Sequence, residues 1–97
     1  MKVFISQKMG GKTSEEIEEA RAKATKKIKT MFGEDTEIID TYFKDSKCTP
    51  IVLLGVSIEL MSDADLVVFI EDWSYGRGCI IEHAVAELYG KEIMELK

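Results

Sequence analysis

Histidine occurs once in these 97 residues, proline once and cysteine twice. Cys48 and Cys79 stand thirty-one positions apart, and with the single His83 they form neither a disulfide framework nor a Cys/His zinc set. No stretch of eighteen apolar residues marks a membrane span, and the opening MKVFIS is far shorter than the core of a secretory signal. A basic excess is missing too. The formal net charge is −5, with ten Lys/Arg against nine Asp/Glu in residues 1–48 and three against nine in residues 49–97. Binding to polymeric nucleic acid needs a concentrated basic face that displaces counterions from phosphates. Here most lysines share one helix with glutamates, so such a partner is not expected. These absences lead to the expectation of a reduced, cytoplasmic protein with no membrane partner, no metal and no cofactor.

What is present is ordinary for a folded domain: 45% hydrophobic and 32% charged residues. The length allows one core, so residues 1–97 are read as a single domain. A domain of this size buries roughly two thirds of its unfolded surface, which leaves little margin. Leftover apolar surface is therefore expected to be covered by a second subunit.

Lys2–Ser6 (KVFIS) reads as a β-strand, followed by the loop QKMGGK. Thr13-Ser14-Glu15-Glu16 fits a capping box. Ile17, Ala20, Ala24, Ile28 and Met31 then recur at helical spacing as far as Gly33, a natural C-terminal stop. Glutamates crowd the first turns of that helix and lysines the last, as its dipole favours. Glu37–Asp40 reads as a short second strand, and 41–50 as a polar turn segment. Pro50 suits the first turn of a helix running to about Met61. That helix, Ile51–Met61, is apolar on nearly every side. A sheet covers one face only, so the other is expected to meet a partner copy in a homodimer or higher homo-oligomer.

Asp65–Ile70 reads as a strand buried on both faces, Glu71–Gly78 as a loop, and the stretch from about Arg77 as a helix patterned by Ile80, Ile81, Ala84, Val85 and Leu88. Gly90 ends it, and Glu92–Leu96 makes a final strand. The order βαβαβαβ predicts an α/β fold: a three-layer α/β/α arrangement, flavodoxin- or Rossmann-like, on a four-stranded parallel sheet.

In such sheets ligands gather at the carboxyl ends of the strands. The segment after the third strand is the richest candidate, with Asp72, Trp73, Tyr75, Arg77, Gly76 and Gly78 ahead of Glu82 and His83. Glu82 sits among apolar neighbours near a helix start, where the dipole favours the ionised carboxylate that a nucleophile needs. Asp65 either caps a turn or assists Glu82. Trp73 and Tyr75 either pack on the core or a partner, or stack on a planar base. Arg77 suits a phosphate or an acidic neighbour, and His83 reads as a core or interface residue. Gly10-Gly11-Lys12-Thr13 ends like a P-loop but lacks the upstream glycine, which excludes ATPase chemistry. Backbone N–H groups of Ser6, Gln7, Met9 and Gly10 still offer a small anion a place.

FISQKMGGK, SDADLVVFIEDW and YGRGCIIEHAVAELYGK together resemble the nucleoside 2-deoxyribosyltransferase-like superfamily, in particular a branch of small phage and bacterial members. The resemblance covers almost the whole chain. It implies that Glu82 attacks the anomeric carbon of a 2′-deoxynucleoside or deoxynucleotide and expels the base, with Asp65 binding or protonating. It also implies that Ser6, Gln7, Met9, Gly10, Asp72, Trp73, Tyr75, Arg77 and Gly78 line the substrate, and that a neighbouring subunit completes the site. Gly76 stands where such transferases carry an acidic residue six positions before the nucleophile, which favours hydrolysis over base exchange. A non-catalytic module that binds or sequesters a nucleotide in the same pocket is the alternative.

Overall fold

The computed structural model describes residues 1–44 and 46–97; of the expected turn segment 41–50, residue 45 lies outside the described residues. Strand β1 (Lys2–Ser6) is followed by helix α1 (Ser14–Phe32), strand β2 (Glu37–Ile39), helix α2 (Pro50–Met61), strand β3 (Leu66–Ile70), a 3-10 turn (Trp73–Tyr75), helix α3 (Arg77–Leu88) and strand β4 (Ile93–Leu96). All pairings are parallel and the strand order is β2-β1-β3-β4. Phe4 lies between Ile39 and Val67 in register, and Val67 lies beside Ile93. The expected four-stranded α/β sheet is present. The 3-10 turn inside the loop before α3 and the ends of β2, β3 and β4 differ by about a residue from the sequence pattern, the usual uncertainty where a strand frays into a turn.

Right-handed crossovers explain how the layers are filled. The chain moves one way along the sheet from β1 to β2 and the other way from β2 to β3 to β4, so α1 must cover one face and α2 and α3 the other. The core divides accordingly. Val3, Ile5, Leu66 and Val68 pack on Ala24 and Ile28 of α1. Phe4, Val67 and Phe69 pack on Met61 and Ala64 at the end of α2 and on Ala86 of α3. Successive residues of β1 and β3 therefore serve opposite layers, both dry, which is why neither strand alternates in polarity.

Helix α1 starts as the capping box requires. The Glu16 amide donates to Thr13 Oγ1 at 3.1 Å, and the Thr13 amide donates to Glu16 Oε1 at 2.9 Å. It ends at Gly33, whose φ of 111° suits a residue without Cβ.

Helix α3 departs from expectation. The apolar pattern Ile80, Ile81, Ala84, Val85, Leu88 was expected to face inward. The buried residues are instead Cys79, Glu82 and Ala86, while Ile80, Ile81, Ala84 and Leu88 are exposed. Spacing i, i+3, i+7 still describes one face. It is the face that carries the glutamate. Helix α2 likewise buries Ser57 and Met61 and leaves Ile51, Val52 and Val56 exposed, Ile51 by 77%. The two helices lie side by side, with Leu54 Cδ1 of α2 facing Gly78 of α3. Replacing Thr13 by Ala removes the α1 cap and is expected to lower unfolding stability by about 1 kcal/mol, read as an earlier urea midpoint with an unchanged slope.

Candidate functional site at the carboxyl end of the sheet

The strand order reverses between β1 and β3, the position at which such sheets offer a crevice at the carboxyl ends of the strands. Ser6, the last residue of β1, is 1% exposed, and its side chain lies on the α2/α3 side of the sheet. Glu82 of α3 reaches it there. The Ser6 hydroxyl donates to Glu82 Oε1 at 2.6 Å, and the carboxylate residue is only 8% exposed. Cys79, one turn earlier on the same helix face, is buried beside them.

Burial pushes the Glu82 pKa above its ordinary value, against the opposing pull of the Ser6 hydrogen bond and of the Arg21 charge. Arg21 is the compensating cation. Burial lowers its own pKa, and the charges of Asp40 and Glu82 hold it up. It projects from α1 and donates to Gln7 Oε1 at 3.1 Å, to the Ile39 carbonyl at 3.0 Å and to Thr41 Oγ1 at 2.9 Å. The Gln7 amide in turn donates to the Ile17 carbonyl at 3.1 Å, and the Thr41 hydroxyl donates to the Ile5 carbonyl at 3.3 Å. The Cys79 thiol is pushed up to about 11, first by burial, with the Glu82 and Asp72 charges adding to the rise and the nearby Ser6 opposing it. It is a protonated packing group at neutral pH, not a nucleophile.

The structure groups some of the expected site residues and separates others. Ser6 and Glu82 meet. Gln7 lies beside them, but both ends of its amide are engaged by α1, so it holds the loop rather than awaiting a ligand. Met9 is half-buried and Gly10 exposed in the loop 7–13. Asp72 is ion-paired with Lys12 of that loop. Tyr75 is 81% exposed, Arg77 is exposed at the start of α3, and Gly78 faces α2.

One expectation needs correction. Asp65 does not approach Glu82. It precedes β3 at the amino end of the sheet, where Oδ2 accepts from the Lys2 amide at 2.7 Å and its own amide donates to the Lys2 carbonyl at 2.8 Å. The length of β1, about 13 Å at the usual rise, separates it from the level of Ser6. Its role is to fasten the start of β1 to β3. Trp73 packs on the core side of the two readings left open for it, with one face and its N–H already engaged. Its ring stacks on His83 with centroids 4.2 Å apart and planes 6° from parallel, packs against Phe69, and donates from Nε1 to Glu95 at 2.8 Å.

Arg21, Thr41 and Lys12 were missed as site residues. Arg21 had a legible signal. It falls on the buried stripe Ile17-Arg21-Ala24-Ile28, where a cation is out of place unless something polar receives it. Lys12 stands in the P-loop-like stretch Gly10–Thr13 and Thr41 directly after the second strand, at a carboxyl end, but neither position shows which partner its side chain meets.

Two hollows, of about 590 Å³ and about 180 Å³, lie on the α1 side of the sheet, the larger lined in part by Arg21, Ile38 and Asp40. Neither is lined by Ser6 or Glu82, which sit under the loops 7–13 and 71–76. Among the described residues no three His, Cys, Asp or Glu side chains group as a metal site requires, and no helix is long and apolar enough to cross a membrane. What the site holds is a desolvated carboxyl with a hydroxyl donor on one oxygen and a half-buried cation acting on it, a combination suited to holding a proton or, once ionised, to attacking an electrophilic carbon.

Compared with known protein families, with curated proteins and with solved structures, the chain matches none.

The raised Glu82 pKa has a stability consequence of definite sign. Folding disfavours the ionised form, so stability is full below the unfolded glutamate value of about 4.5 and declines as pH rises through the higher folded pKa. Glu82→Gln keeps an acceptor for Ser6 and carries no charge. In denaturant titrations from about pH 4 to about pH 8, wild type is expected to lose stability relative to this variant as pH rises; parallel profiles would refute the raised pKa.

Proposed function

We propose that the protein cleaves the N-glycosidic bond of a 2′-deoxynucleoside or deoxynucleotide, with Glu82 as nucleophile and water as the final acceptor. The observation that carries this reading is the Ser6–Glu82 pair, sealed at the point where the strand order reverses and balanced by Arg21. A carboxyl kept there at a desolvation cost, on the inward face of a helix that offers isoleucines instead, is the kind of group that catalysis retains. The resemblance of the segments around Ser6 and Glu82 to deoxyribosyltransferase-like proteins agrees with it.

In this reading Ser6 holds Oε1 and leaves Oε2 to attack C1′. The bond from C1′ to the base nitrogen breaks, the base departs with the electron pair and takes a proton from solvent water, and a glycosyl ester remains on Glu82. Water then adds at C1′ and returns a proton to solvent, the ester bond breaks with its electron pair left on the Glu82 carboxylate, and free sugar leaves as in retaining glycosidases. A missing 2′-hydroxyl makes the cationic centre at C1′ easier to form. Release of free base from a panel of deoxynucleosides and their 5′-monophosphates is expected, and Glu82→Ala is expected to reduce it by on the order of 10³-fold or more. A panel without turnover would overturn the enzymatic reading.

Asp65 at the far end of the sheet favours a second reading, because it leaves Glu82 without the proton donor expected beside it. In that reading the same pocket binds a nucleotide and does no chemistry. Tight binding that survives Glu82→Gln with no product formed selects it.

A second copy covers the outer faces of α2 and α3 in this proposal. Ile51, Val52 and Val56 on α2 and Ile80, Ile81 and Leu88 on α3 are exposed on adjoining helices of one layer. The exposed Cys48 and buried Cys79, both free thiols, suit a reducing cytoplasm. Native mass spectrometry is expected to give a dimer or larger assembly, and Val56→Glu with Ile81→Glu to give monomer; a monomeric wild type would overturn this interface.

A further inference from the structure

Loops 7–13 and 71–76 leave adjacent strands at the point of reversal, and they touch twice. Lys12 of the first is ion-paired with Asp72 of the second. The stem of Lys8 packs closely on Gly76: a Cβ built there would stand 3.3 Å from Lys8 Cβ and Cγ and 3.4 Å from Cys79 Sγ, so a larger residue would push the lysine stem outward. The same lysine is held down at its tip, where Nζ donates to the Gly10 carbonyl, and the turn is completed by Gly11 at φ 80°. Directly beneath Gly76 are Cys79 and, one turn on, Glu82 with Ser6, all nearly sealed from water. At 1–8% exposure, Ser6, Cys79 and Glu82 are covered at the point where the topology places a crevice.

We propose that these loops form a latch over Glu82, closed by the Lys12–Asp72 ion pair and the Lys8 stem on Gly76, and that an anionic group of the ligand opens it by taking the place of the Asp72 carboxylate on Lys12. The identity of that ligand as a nucleotide rests on the function proposed above; the latch itself does not. Several features make the contact suited to release. Both partners of the ion pair are about one-third exposed, a setting in which such pairs are weak and exchange readily with water and ions. The loops carry no strand pairing to each other, so they part without breaking the sheet. Lys12 is freed once Asp72 withdraws, with Lys8 four residues before it in the same loop and Arg77 directly after Gly76 at the start of α3. A 5′-phosphate meets that requirement and an unphosphorylated nucleoside does not, so the latch selects deoxynucleotides over deoxynucleosides.

Cys79 reports the state of the latch because it lies directly under Gly76. In a Cys48→Ser background, the rate at which a small neutral maleimide modifies Cys79 is measured at fixed pH, beside the urea midpoint of each variant. Asp72→Asn and Lys12→Met are each expected to raise the rate several-fold at an unchanged midpoint, and the double variant to match the single ones. Lys8→Ala, which removes the half-buried stem from Gly76 and leaves the sheet and helices untouched, is expected to raise it as well. Inorganic phosphate is expected to bind Asp72→Asn several-fold more tightly than wild type and not to bind Lys12→Met. Labelling at the wild-type rate in all three single variants would overturn the latch, and equal phosphate affinity in Asp72→Asn and wild type would overturn the role of the anion. Faster labelling without base release in any variant would keep the latch and overturn only the enzymatic reading.

Discussion

A carboxyl group taken out of water must be repaid in hydrogen bonds and opposite charge, or it gives up its proton equilibrium. Much of the carboxyl end of this sheet follows from that constraint at Glu82. The Ser6 hydroxyl supplies the hydrogen bond and Arg21 supplies the charge. Arg21 is itself half-buried and needs acceptors, which it finds in Gln7, the Ile39 carbonyl and Thr41. Those acceptors are tied in turn to Ile17 and Ile5. The Ser6–Glu82 hydrogen bond thus ties α3 to β1, while the bonds of Arg21 tie α1 to the loop after β1 and to the end of β2, and the two groups are coupled through charge. Burial still prevails over its compensation, since the pKa of Glu82 ends above its ordinary value.

The same constraint decides which way α3 faces. A helix carrying Ile80, Ile81, Val85 and Leu88 is expected on hydrophobic grounds to turn the isoleucines inward. That orientation would place Glu82 on the outside and remove it from Ser6. The observed orientation places Cys79, Glu82 and Ala86 on the sheet and leaves Ile80 and Ile81 nearly half exposed. Each buried isoleucine would contribute on the order of 2 kcal/mol, so the isolated chain forgoes substantial apolar burial to keep its carboxyl inside. Helix α2 makes a parallel sacrifice, burying Ser57 while Ile51 is largely exposed. Both helices thus present their apolar residues away from the sheet on one layer.

Local signals account for what was readable in the sequence. The capping box at Thr13, the helical stripe that follows it, the non-alternating LVVFI run and Pro50 at a first helical turn all act over a few residues, and each element stands where those signals put it. Glu82 was readable because a charge among apolar residues is conspicuous. For Asp65 the sequence leaves a turn-capping role open beside the assisting role that the resemblance implies. In a parallel sheet a residue ahead of a strand lies at the amino end, which is where Asp65 fastens β1 to β3. The partners of Trp73 were not readable at all: Glu95 is 22 positions away, and the ring of His83 meets it only because α3 folds back over β3. The facing of α3 was unreadable for a related reason. Periodicity gives the spacing of a stripe, but Ser6, seventy-six positions earlier, decides which stripe turns inward.

Helix α3 joins three parts of the molecule that are separate in sequence. Gly76 at its N-terminal cap receives Lys8 from the first loop, and Gly78 in its first turn faces Leu54 of α2. Glu82 in its second turn holds Ser6, and Ile80 and Ile81 immediately before it point outward. Within a span of seven residues the helix therefore meets the loop over the site, the neighbouring helix, the buried carboxyl and the uncovered apolar surface. Opposite faces of the same two turns thus do different work: Cys79 and Glu82 close the inner side against Ser6, and Ile80 and Ile81 leave apolar surface on the outer side.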